Sequence, residues 1–354
     1  MRWEALRPHQ LTPETRRQVT LAAAWTGAAL GALGAVAGAA FGIVIGETKL
    51  ARRRIPQAMD DPPVSHDTTW AAAGVSTARP PIRLAMLGDS SAAGYGVQRD
   101  KDTPAAQIAI GVSGIARRPV HVTNVAVVGA ESNQLPAQLD ELGGADVDVA
   151  VIMIGANDVT HRIKPDEAVR YLTDAVIRLR GRGTNVVVGT CPDLGTIRPL
   201  AQPLRTIARH LSRQMAKEQT IAVVAAGGRT VSLGDLLGPL FAESTEFFSD
   251  DQFHPSAAGY AAAAEALLPS VLDALGMGTR ARSASAFTTR LAKPVSRAAA
   301  QAAHRPGTEV APAEPRKHGR GRRIPLARLR RRRPSQPVPN SPESARPVSP
   351  ATTR

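Results

Sequence analysis

The chain has 354 residues, 43% of them hydrophobic, which is enough for one large domain or two ordinary ones with a real core. Its formal net charge of +14 is uneven: residues 83–275 carry 17 Lys and Arg against 21 Asp and Glu, whereas 276–354 carry 18 against 3. A mildly acidic middle argues against a central domain that grips nucleic acid, and a single cysteine, Cys191, excludes intrachain disulfides and a Cys-rich metal site.

Residues 1–18 form a short basic leader, and residues 19–46 follow without a charge for 28 positions. As a helix that run is roughly 42 Å long against a hydrocarbon core of roughly 30 Å, so a tilted, single-pass transmembrane helix is expected. A cleaved signal peptide is the alternative, with "AVA" at 35–37 as its cleavage site. The apolar run continues past that point to Lys49, Arg52, Arg53 and Arg54, which marks an anchor boundary. Arg2, Arg7, Arg16 and Arg17 balance those four, so the positive-inside rule assigns no side of the membrane. Gly34, Gly38, Gly42 and Gly46 recur every fourth position, a spacing that permits self-association of such helices and also arises from Ala/Gly-rich composition alone.

Residues 47–81 read as a linker with no periodicity. From 82 to 277 the pattern alternates. Strand-like runs stand at 82–87, 120–128, 147–154, 185–190 and 220–226. Helical stretches lie among them at 165–183, 203–219 and 257–275, and in the first of these Ala168, Leu172, Ala175, Val176 and Leu179 form one apolar stripe. Such alternation predicts a parallel sheet covered on both faces, with its site at the carboxyl ends of the strands. Residues 278–354 mix Arg runs with Pro and Ser and read as a disordered tail, suited to anionic lipid headgroups; nucleic acid is a poorer partner for it.

"AMLGDSSAAGYG" at 85–96 sets Ser90 just past the first of these strands. A serine there more often caps a helix than attacks anything, so it needs a base. Of the eight histidines, His254 stands out: "FSDDQFHPSAAGY" places Asp251 three residues before it, with Asp250 as a competing carboxylate. A turn can fold such a carboxylate onto the imidazole and set its tautomer. His161, near the end of the 147–154 strand, remains open as another base. That strand ends in "IMIGANDVT", where Asn157 can offer an amide N–H to an oxyanion, and the 120–128 run ends at Gly129, which can offer a backbone N–H.

"GDSSAAGYG", the Gly129 block, "GAND" and "DQFH" together resemble the ordered blocks of the SGNH hydrolases, also called GDSL-type esterases and lipases, over roughly residues 82–275. The resemblance implies a flavodoxin-like three-layer α/β/α sandwich with a parallel sheet. It implies Ser90 as nucleophile, His254 as base then acid, and Asp251 as its orienter. The Ser90 and Gly129 backbone N–H groups and the Asn157 side chain would form the oxyanion hole, with no metal or cofactor. The "GAES" at Gly129 departs from the usual Gly-x-Ser/Thr of that block, and the basic tail is outside the family pattern.

The expected activity is therefore hydrolysis of an acyl ester by a membrane-anchored serine esterase, with lipid esters as the first substrate class. An O-acetyl esterase acting on cell-wall polysaccharide is the alternative, weakened by the few aromatics available for a sugar groove. A non-catalytic membrane adaptor is the reading from a different class, opposed by the intact set Ser90, Asn157, Asp251 and His254.

Overall fold

A computed structural model describes residues 67–197, 199–234, 244–278, 293–302, 308–312, 326–331 and 346–348. The strands are β1 (Asp67–Ala71), β2 (Ile82–Gly88), β3 (Val120–Asn124), β4 (Val149–Met153), β5 (Asn185–Gly189), β6 (Arg229–Val231), β7 (Lys293–Pro294), β8 (Thr308–Pro312), β9 (Leu326–Arg331) and β10 (Arg346–Val348). The helices are α1 (Ser90–Ala93), α2 (Pro104–Ala116), α3 (Leu135–Glu141), α4 (Ala156–Thr160), α5 (Pro165–Gly181), α6 (Leu204–Ala225), α7 (Ala257–Ala274) and α8 (Val295–Ala302).

Among the described residues the strands form one sheet in the order β10-β1-β3-β2-β4-β5-β6-β8-β9-β7. Its central five, β3-β2-β4-β5-β6, are parallel. Side chains of these strands alternate between two apolar layers. Leu84, Met86, Val149, Val151 and Val187 face one, with Ile108 of α2 and Leu267 and Val271 of α7. Ala85, Leu87, Ala150, Ile152, Val186 and Val188 face the other, with Leu139 of α3 and Leu172, Val176 and Leu179 of α5. A sheet buried on both faces needs near-continuous apolar strands, which is what β4, "VAVIM", supplies.

The five stripe residues expected on α5 are its five buried residues. Four other expectations change. The sheet is mixed rather than purely parallel, because β1, β8, β9 and β10 pair antiparallel. Asp67–Ala71, placed in the linker, is a strand paired antiparallel on both sides, to β3 and β10, and its Trp70 is buried in the core. The apolar run 220–226 ends helix α6, not a strand: Thr220, Val223 and Val224 are buried at helical spacing, and β6 follows at 229. The 120–128 run leaves the sheet at Asn124, and Val127 and Val128 are exposed.

The segment from 278 is also not uniformly outside the fold. Helix α8 packs on α6 with Val295, Ala298 and Ala302 buried beside Val224 and Val310. On β8, Glu309 is buried, accepting a 2.9 Å bond from Arg229 and a 3.0 Å bond from the Ser270 hydroxyl. Composition hides this because a few alanines and valines at helical spacing suffice to dock a short helix on a finished domain. No helix among the described residues is long and apolar enough to cross a membrane; the expected span 19–46 lies outside them.

Candidate active site

Ser90 sits where β2 meets α1. Gly88 makes the turn with φ +134°, and a Cβ there would lie 1.8 Å from the Met153 carbonyl oxygen, so only glycine fits. Asp89 then donates its N–H to that carbonyl at 3.0 Å, and its side chain caps α1 by accepting the Ser91 N–H at 2.9 Å. Burial drives the Asp89 carboxyl up to about 6, against the opposing pull of the Ser91 N–H and of His254.

His254 arrives on a tight loop closed by a bridge between Phe248 and Pro255 and by a 2.8 Å bond from the Ser249 N–H to the His254 carbonyl. Inside the loop one Asp251 oxygen, Oδ1, accepts from the Ser249 hydroxyl at 2.7 Å and from the Phe253 and His254 N–H groups at 2.8 Å. The other, Oδ2, lies 2.6 Å from His254 Nδ1. Burial would raise this carboxyl, but the bonds from the His254 ring, Ser249 and the two amides outweigh it and hold it at about 2. An ionised Asp251 only accepts, so Nδ1 carries the proton and Nε2 is left as an acceptor. That Nε2 is 3.0 Å from Ser90 Oγ, which therefore donates to it. Edge-on contacts with Tyr95 and Phe253, at 4.6 and 4.8 Å between ring centroids, hold the imidazole on two sides.

Asp250, the competing carboxylate, is exposed. His161 binds Glu131 at 2.7 Å instead of a hydroxyl. The hydroxyl–imidazole–carboxylate line therefore runs through Ser90, His254 and Asp251, and such a line can strip the serine proton as its oxygen attacks a carbonyl.

Asn157 opens α4 after Gly155, where φ is +124° and a Cβ would lie 2.7 Å from Gln219 Nε2, so glycine is again required. The Asn157 Nδ2 donates to the Ala130 carbonyl at 3.0 Å, which uses one of its two amide hydrogens. Ser90, Asn157 and His254 line one pocket with Leu194, Ile197, Leu233, Phe248 and Phe253. Gly129 is exposed, one residue before the carbonyl that Asn157 holds, and is not among the residues lining that pocket.

The model of the GDSL-like lipase/acylhydrolase family matches residues 86–262. A relative, the GDSL-like esterase Rv1075c of Mycobacterium tuberculosis, is 39% identical over 332 residues, 91% of this chain and 98% of the relative. The chain belongs to the GDSL-like lipase/acylhydrolase family. It is accordingly an ester-bond hydrolase.

Similarity to solved structures is more distant. An Axe2 variant, an acetyl-xylooligosaccharide esterase of Geobacillus stearothermophilus, is 18% identical with a TM-score of 0.45, covering 59% of this chain and 99% of its own. The lipase Lip_vut3 from a goat rumen metagenome is 16% identical with a TM-score of 0.45, covering 56% and 99%.

Several residues of this family member's site escape a reading of the sequence. Gln138 and Gln219 are buried side chains bonded to strand-end backbone, and Asp158 is wholly buried beside Ser132. Tyr260, also buried, donates to the Tyr95 carbonyl at 2.6 Å. For Gln138 a signal existed: it interrupts the stripe Leu135, Leu139, Leu142 on an otherwise apolar face. An inward polar residue needs a partner.

Proposed function

We propose that this chain is a serine esterase working through an acyl-enzyme, with acyl esters of lipid or lipid-like alcohols and acids, presented near a membrane, as its substrates. The observation that carries the reading is the single imidazole held between Ser90 Oγ and the ionised Asp251. Ser90 Oγ attacks the ester carbonyl while its proton passes to His254 Nε2. The second amide hydrogen of Asn157, the Ser90 N–H and, from the adjoining loop, the Gly129 N–H stabilise the oxyanion. One such donor is worth roughly 3 kcal/mol. His254 then protonates the leaving alcohol, and water, activated by the same imidazole, releases the acid.

Two features support the substrate class. The pocket beside Ser90 is walled by Leu194, Ile197, Leu233, Phe248 and Phe253, which suit an acyl chain longer than acetyl. The uncharged run 19–46 suits a membrane anchor, and the Arg-rich C-terminal residues suit anionic headgroups at about 1 kcal/mol per basic residue near the surface.

The test is hydrolysis of p-nitrophenyl esters from acetate to dodecanoate by the full chain, wild type beside Ser90→Ala. Activity on medium chains that disappears in the variant supports the proposal. Undiminished activity in Ser90→Ala removes Ser90 as nucleophile, and a strict preference for acetate removes the lipid assignment. Vesicle sedimentation in low and high salt tests the headgroup contact.

A further inference from the structure

We infer that Gln138, a side chain outside the reacting groups, is a positioning residue that sets the Ser90 turn by standing in for a missing strand. The inference rests on the serine-esterase reading above.

In a parallel sheet, alternate residues direct both their N–H and their C=O to the same neighbouring strand. Asp89 directs its N–H to β4, where Met153 accepts it. Gly88, one residue earlier, directs its N–H and C=O to the opposite side, toward β3. But β3 stops pairing at Asn124, which stands opposite Met86, so the ladder ends before Gly88 is reached. The returning chain offers a single donor there, the Val127 N–H, 3.1 Å from the Gly88 carbonyl.

Gln138 supplies the rest. Its Oε1 accepts the Gly88 N–H at 2.8 Å, and its Nε2 donates to the Gly88 carbonyl at 2.8 Å. A carboxamide has the donor and acceptor of a peptide group, so one side chain from α3 completes the β2 ladder across the last residue before Asp89 and Ser90. The side chain is 2% exposed, so no water substitutes for it. The Gly88–Asp89 peptide is thus held from both sides, by Gln138 and by Met153. Its plane sets both the Ser90 Oγ to His254 distance and the direction of the Ser90 N–H.

Three measurements on the full chain test the role. The first is the kcat and KM of Gln138→Leu, which keeps the bulk and removes both bonds. Reaction depends steeply on alignment, so kcat should fall by at least about tenfold with KM changed less than about threefold. The second is the rate of Ser90 phosphonylation by a fluorophosphonate, which should fall in parallel.

The third is the pH profile of Gln138→Glu. Its neutral carboxyl has one donor and one acceptor like the amide, whereas the ionised form has only acceptors and sets one of them against the Gly88 carbonyl. Its activity relative to wild type should therefore rise by about tenfold or more from pH 8 to pH 5. Taking the ratio at each pH removes the titration of Asp89, which both proteins share. If Gln138→Leu does not fold, the Gln138→Glu profile decides. A kcat within twofold of wild type for Gln138→Leu, or a flat ratio for Gln138→Glu, overturns the inference. Failure of the esterase reading itself is seen separately, as Ser90-independent activity in the wild type.

Discussion

Asp158 holds Ser132 at two points. Its Oδ1 and Oδ2 accept the Ser132 N–H at 3.1 and 3.3 Å, and Oδ2 accepts the Ser132 hydroxyl at 2.9 Å. Together with the bond from Asn157 to the Ala130 carbonyl, this ties the loop that carries Gly129 to the start of α4. Burial pushes the Asp158 carboxyl up, against the bonds from Ser132 that favour its charge.

Asp158→Ala leaves two buried donors on Ser132 without acceptors. We expect a loss of about 2–3 kcal/mol in stability and about tenfold in kcat, with Ser132→Ala milder on both counts. Urea unfolding and ester kinetics measure the two effects. An unchanged kcat would mean that the loop carrying Gly129 needs no such tie.

Asp251→Asn keeps the size of the side chain but loses the charge that favours the Nδ1 proton. Activity should fall by roughly a thousandfold or more while the protein remains folded at neutral pH. The acid limb of stability should also change. Asp251 has a native value of about 2, below its unfolded one, so it contributes stability above the ordinary aspartate range that is lost as pH falls toward 2. The variant should therefore show a shallower loss of unfolding free energy between pH 4 and pH 2.

Asp89 works with the opposite sign. Its native value of about 6 lies above the unfolded one, so the fold binds an extra proton between about pH 4 and 6 and loses stability as pH rises through that window. Asp89→Asn retains a capping oxygen for the Ser91 N–H and removes the titration. Relative to wild type it should gain on the order of 2 kcal/mol at pH 8 and little at pH 4. Equal urea midpoints for the two proteins at pH 8 would contradict this.

Leu233 forms part of the pocket wall and is buried against the core. Leu233→Ala should lower stability by about 2–4 kcal/mol and move the preferred acyl chain toward longer esters. A chain-length series run beside wild type reads the shift, and an unchanged optimum would place the acyl chain elsewhere.

Glu309 anchors the C-terminal segment through Arg229 and Ser270. Removing it as Glu309→Ala leaves Arg229, whose side chain is 31% exposed and so partly hydrated, without that carboxylate. We expect a loss of roughly 2 kcal/mol and a lower Tm, with Glu309→Gln intermediate. A Tm within one degree of wild type would show that α8 and β8 dock without the pair.

Much of the site was legible because its residues stand next to backbone features that sequence encodes locally. Ser90 follows a strand and a glycine, Asn157 follows Gly155 in the same way, and the Asp251–His254 pair closes within one loop. Residue spacing alone left Asp250 and Asp251 both open, and only the family resemblance chose Asp251, because which carboxylate the 249–256 turn directs inward is a matter of tertiary structure. Gly129 was expected beside the reacting groups; it is exposed and not among the residues lining the pocket, and its oxyanion role is part of the proposal.

The alternation of apolar strands and striped helices determined, from sequence alone, the α/β class, four of the five strands of the parallel centre and the helix α5 to its buried residues. These follow from local periodicity, which needs no knowledge of distant partners. Tertiary structure alone decided what depends on residues far apart in the chain. Trp70 becomes a core residue of a sheet strand because β3 is there to pair with it. Val223 turns inward on a helix because α6 lies over the sheet, and Glu309 is buried because Arg229 and Ser270 wait for it. Gln138 finds Gly88 across 50 residues, where a ladder has run out and two buried backbone groups require a partner.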